Sequence, residues 1–266
     1  MRGPKQSELH GLLRDELTRR FTAAEWVVDL ADDTDPGGVM IGAFRRQVSD
    51  DFWATAHYWL ANWNGAEETL QVTGDVGVSY FPAYCLWPLL IEGERTELNL
   101  NLGELLDPPK EWTTDTSMED LMIIELSAAE GVPEAATALI EPVLDLGLAW
   151  VQRHASVEVL LDAYGSGALR FDGEIEAVPT LLAASGSHDE ARNALAEYSA
   201  SEREEAHTRE FRRFVFQLNR WLDAGGVIPE APTEPVRVFD FDYDRPSRED
   251  YARRGYSADR TIHNTL

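Results

Sequence analysis

Cysteine is almost missing from this chain. Cys85 is the only one in 266 residues, so no internal disulfide can form, and a reducing, cytoplasmic setting is expected. Lysine is nearly as scarce, with only Lys5 and Lys110. All basic residues together number 23 against 48 acidic ones, a net charge of −25. That excess repels nucleic acid and anionic membranes, so neither is expected as a partner. No apolar run approaches the roughly 18 residues of a membrane span. The longest, near Tyr84–Ile91, is interrupted by Pro88. Arg2 and Lys5 are followed by Glu8, Asp15 and Glu16 with no apolar stretch between, so no secretory leader is expected either.

Motifs of catalysis are also missing. There is no G-x-S-x-G elbow, no phosphate-cradling glycine loop ending in Lys, and no G-x-G-x-x-G after a strand. His10, His57, His154, His188, His207 and His263 lack a second His or Cys at metal-ligand spacing. Asp240, Asp242 and Asp244 alternate as calcium ligands do. A helix–loop–helix calcium loop counted from Asp240 needs Gly at its sixth position and Glu at its twelfth. Arg245 and Tyr251 stand there. No catalytic residue, no cofactor and no metal is therefore expected.

What is present is apolar material and clustered acid. At 44% apolar residues, a chain of this length builds a sizeable core in one or two domains. The acid is uneven. Residues 1–20 carry five basic and three acidic groups, and residues 237–266 carry six of each. The stretch between them holds the other 12 basic and 39 acidic residues. Leu89–Asp145 alone has fourteen acids against Arg95 and Lys110. Such a section is either a well-solvated surface or a docking face for a cationic protein.

Periodicity predicts an α+β fold: an antiparallel meander with an N-terminal helix, followed by a mostly helical C-terminal half. Leu9, Leu12, Leu13, Leu17 and Phe21 make one helical stripe, with Ser7 as cap. Strands are predicted at Trp26–Leu30, Val39–Phe44, Phe52–Trp63, Leu70–Tyr80 and around Leu98–Leu102. Phe52–Trp63 also fits a helix, but Asn64-Gly65 follows it and favours a hairpin. Gly74 and Gly77 signal a bulge or a close backbone approach. From Ser117 helical spacing takes over. A first helix is expected to end near Gly131, and a second starts at Pro133 and kinks or breaks at Pro142. Others are expected at Ser156–Tyr164, Glu174–Ala184, Asp189–Ser199 and Ser201–Ala224. The resulting division is 1–110 for helix plus sheet, 111–228 for a helical region packed on it, and 229–266 for a proline linker, a short strand and a polar tail.

Two sets of residues are candidates for partner binding. Trp53, Trp59 and Trp63 are either core or, as strand residues, one face shared with His57 that can serve as an interface hot spot. His57 itself is a structural histidine or a lone base. Asp240, Asp242 and Asp244 are a solvated strand face or an acidic partner-binding edge. Cys85, between Tyr84 and Leu86, reads as a small core residue.

The order of elements adds a resemblance. A leading helix ends in Phe21 and a strand ends in Phe44-Arg45-Arg46. An aromatic strand, a hairpin and Leu70-x-Val72…Val76-Gly77-Val78 follow, then an acidic insert. A helix ending near Leu148-Ala149-Trp150 leads to Ser156–Leu161. Over residues 8–164 this resembles a bacterial domain family of unknown function whose members occur among immunity proteins of toxin systems. The resemblance carries no catalytic residue. With the acidic middle section and the missing catalytic motifs, the expected function is a non-enzymatic, acidic binding protein, in the form of an immunity-type inhibitor that neutralises a basic toxin. An adaptor or structural subunit of a larger assembly is the alternative. A second alternative is an enzyme with a site near His57.

Overall fold

The computed structural model describes residues 6–30, 40–60, 69–90, 98–101, 122–165, 174–201 and 205–229. It has an N-terminal helix, an antiparallel sheet and a mostly helical C-terminal half, the architecture the periodicity predicts. Helix α1 (Gln6–Ala23) buries Leu9, Leu13, Leu17 and Phe21 completely. This i, i+4 row lies straight along one face, while Leu12 falls beside it and is exposed. Strands β1 (Val27–Leu30), β2 (Met40–Gln47), β3 (Phe52–Leu60), β4 (Leu70–Tyr80) and β5 (Leu98–Asn101) pair in sequence order, all antiparallel. The helical reading of Phe52–Trp63 is excluded over Phe52–Leu60, which pairs on both sides.

Two elements depart from the periodic reading. The meander is interrupted after β4, because α2 (Phe81–Leu90) follows it without a break. Its Pro82 sits in the first turn, where no intrahelical N–H is lost. The helix expected to end near Gly131 is replaced by strand β6 (Ile124–Leu126) and a 3₁₀ turn at Ala129–Gly131. β6 pairs with Leu70–Val72 of β4, on the side where β5 covers only Asp75–Val78. An open ladder beside β-branched Ile123-Ile124 outweighs local helical spacing. The capping box Ser117/Asp120 lies outside the described residues.

The sequence that follows is helical. α3 (Val132–Pro142) has Pro133 in its first turn. The break foreseen at Pro142 takes the form of a π turn over Val143–Gly147, after which α4 (Leu148–His154) continues. Then come α5 (Val157–Gly165), α6 (Glu174–Ala184), α7 (His188–Ala200) and α8 (Arg209–Asp223). α8 starts eight residues later than Ser201 suggests. Thr208 is its cap, its side-chain oxygen accepting from Phe211 N at 3.0 Å. Ser201 instead closes α7, donating its hydroxyl to Tyr198 O.

Among the described residues two large apolar cores result. The larger lies between one sheet face and α1, α3, α4 and α5, and includes Phe44, Tyr58, Val76, Leu139 and Val151. Tyr58 donates to Leu139 O at 3.0 Å across it. Burial, and then the charge of Asp75, push this hydroxyl well above its usual pKa, so it stays a donor. The smaller core gathers Leu86 and Leu90 of α2 with α6, α7 and α8 through Ile175, Leu195, Phe214 and Leu218.

A polar clamp fastens α1 to the start of α3. Glu16 takes hydrogen bonds from Arg19 and Arg20, at 2.7 Å for its closest contact with each. Arg20 also donates to Thr137 Oγ1 and to Pro133 O. These bonds, Arg19's first and then Arg20's, lower the Glu16 pKa from 4.5 to about 2. A carboxylate with a depressed folded pKa lends stability above its unfolded value and loses it as pH falls towards the folded one. Glu16→Gln is therefore expected to cost about 1 kcal/mol at neutral pH, screened as the pair is by solvent. Its acid-unfolding curve should be flatter than wild type between pH 4.5 and about 2. Parallel curves from urea titrations across that window would refute the clamp.

Candidate functional site

Strand alternation gives the sheet a second face, and its residues are polar. Cross-strand pairs place Arg45 opposite Thr55, Ala43 opposite His57, and Gln47 opposite Trp53. On the other side of β3, His57 is opposite Asp75, Trp59 opposite Thr73, and Trp53 opposite Ser79. The centre of this face is as dry as the apolar one. His57 is 2% exposed and Thr73 fully buried, with Thr55 and Ser79 also inside.

At its centre His57 Nδ1 lies 2.9 Å from Asp75 Oδ1. An imidazole donating Nδ1–H to a carboxylate is held in one tautomer and one orientation, the arrangement that prepares a general base. With His57 this deeply buried, the pair ties β3 to β4 in the present conformation. Gly74 beside it is required by contact. A Cβ there would come within 2.6 Å of Tyr58 Cδ1 and 2.7 Å of His57 O. This is the close approach its position signals, and the ladder through it is regular.

The face is finished at one end by α2. Arg45 lies over the Trp53 ring, its guanidinium carbon 5.0 Å from the centroid, and 5.9 Å from that of Tyr84. Arg45 Nη1 donates to Tyr84 Oη at 3.2 Å, and Trp53 packs on Phe81 at 5.7 Å. Trp53 and Trp59 thus do share the face of His57, both half-buried. Trp63, Asp240, Asp242 and Asp244 lie outside the described residues. Sequence reasoning missed Arg45 and Asp75 as members of this layer.

A second region is defined by charge. Residues 122–165 carry seven carboxylates, every one exposed, against the single Arg153. Glu134, Ala138, Glu141 and Asp145 follow helical spacing and form one ridge along α3 and the π turn. Ala138, Glu141, Pro142, Asp145 and Leu146 line a shallow depression on it. Leu146 is 45% exposed there, an apolar centre with acid on two sides.

Among the described residues no cluster of three or more His, Cys, Asp or Glu could hold a metal ion. No described helix is long and apolar enough to cross a membrane. The geometry defines an α+β protein whose sheet is buried on an apolar face and on a polar one, with an acidic ridge outside. No family model, no curated protein and no solved structure matches this chain.

Proposed function

We propose that this protein is a non-enzymatic binding module, whose acidic ridge on α3 and the π turn engages a basic protein surface. An immunity-type inhibitor of a basic toxin, acting in the cytoplasm, is the specific form of this reading. The observation that carries it is the unbalanced, wholly exposed acid of residues 122–165, with Glu141 and Asp145 beside the exposed Leu146. Exposed carboxylates beside an apolar centre suit an interface in which charge steers the encounter and a buried side chain slows release.

The test is co-expression with the product of the adjacent gene, followed by pull-down and kinetic binding. Glu134→Lys, Glu141→Lys and Asp145→Lys together should slow association about 10- to 100-fold. Raising the salt tenfold should weaken the wild-type complex. A complex that forms equally well with the triple variant, or one indifferent to salt, would sink the proposal.

A further inference from the structure

Helix α8 is the anomaly in so acidic a chain. Its inner side buries Phe211, Phe214, Leu218 and Leu222, fixing the helix on the smaller core. Its outer side carries Arg209, Arg213, Phe216 and Arg220 at helical spacing, with Arg212 alongside, all exposed. Phe216 is 64% exposed in the middle of these cations. No carboxylate among the described residues pairs with Arg209, Arg212 or Arg220. An exposed aromatic ringed by guanidinium groups fits a segment that interleaves apolar side chains with carboxylates. Nucleic acid and anionic membranes extend beyond the strip and meet the repulsion of a −25 chain.

The chain carries such a sequence itself. Val238, Asp240, Asp242 and Asp244 fall at every second residue. In an extended chain they would share one side, with carboxylates about 6.7 Å apart. Along α8 Arg209 and Arg213 stand about 6 Å apart and Arg213 and Arg220 about 10.5 Å, with Phe216 between them, so the cationic strip and the acidic segment have similar overall lengths. Connection is short enough. Trp221 Nε1 donates to Val227 O at 2.9 Å and Gly226 N to Trp221 O at 3.1 Å, so the chain leaves α8 folded back against it. Gly225 and Gly226 supply the positive φ values of that turn, 102° and 64°. Nine residue steps from Pro229 to Val238 would span at most about 28 Å if the prolines kept them extended, and all of α8 measures about 22 Å.

We infer that the Arg–Phe face of α8 is the docking surface for this chain's own acidic segment Val238–Asp244. The test is hydrogen exchange on the full chain. Amides of 238–244 should exchange at least about tenfold more slowly than in an unstructured peptide, unchanged on dilution. Arg209→Glu with Arg220→Glu, and separately Phe216→Ala, should remove that protection and leave α8 itself protected. These side chains are all exposed, so folding survives, and near-UV circular dichroism checks it. Free exchange of 238–244 in the wild-type chain overturns the inference. So does protection that persists in both variants. Protection that fades on dilution overturns it too, by assigning the face to a second copy.

Discussion

Phe21→Ala is expected to destabilise the protein by about 3–5 kcal/mol, a large part of the stability of an ordinary domain. Phe21 closes α1 at the point where the helix meets the sheet. Its ring stacks on Phe44 at 4.3 Å, meets Trp26 edge-on at 5.1 Å, and lies 5.9 Å from Tyr58. Removing it opens a cavity among aromatic rings that have no room to collapse, because β2 holds Phe44 and β3 holds Tyr58. Phe21→Leu fills part of that volume and should cost roughly half as much. Urea unfolding with an unchanged slope would measure both. A loss below about 1 kcal/mol for the alanine variant would contradict the packing described.

The second large effect concerns Asp75. Asp75→Ala is expected to cost about 2–3 kcal/mol, because His57 would stay buried in the sheet without the oxygen that accepts from its Nδ1. Asp75→Asn keeps an acceptor at that place and should cost only about 1–2 kcal/mol. Asparagine removes only the charge, whereas alanine removes the acceptor and its volume together. Equal losses for both in equilibrium unfolding would mean that the His57–Asp75 contact contributes little, and that this corner of the sheet rests on packing alone.

Much of the fold is written locally. The Leu9, Leu13, Leu17, Phe21 row can form only one buried helical face. β4 alternates so regularly that its two faces follow from period 2 alone. The helix pair Glu174–Ala184 and His188–Ala200 is set by its Ser-Gly-Ser turn, with Gly186 at φ 87°. What was not legible depends on register and on neighbours. A two-residue turn at Asn64-Gly65 would put His57 opposite Val72, whereas the ladder puts it opposite Asp75. Parity was the available signal. This shift of three faces polar His57 to Val72 and buried Tyr58 to Gln71, which the alternation of both strands forbids. Arg45 could not be found this way, because its partner Tyr84 sits on α2, which local spacing does not reveal. β6 was hidden for a similar reason, since three residues become a strand only where β4 leaves its edge open.

The π turn at Val143–Gly147 has a consequence for how this protein can vary. A π turn holds one residue more than the α-helical turn it replaces. Here that surplus lets α3 and α4 both reach the same sheet, with Gly147 passing so near Val76 that a Cβ would stand 3.0 Å from Cγ2. Deleting a single residue would let the helix run on smoothly, but would swing everything beyond it by about 100°. Trp150 and Val151 would then leave the core. Point substitutions on this ridge are cheap by comparison. Length, together with the glycine at 147, is what this stretch must conserve.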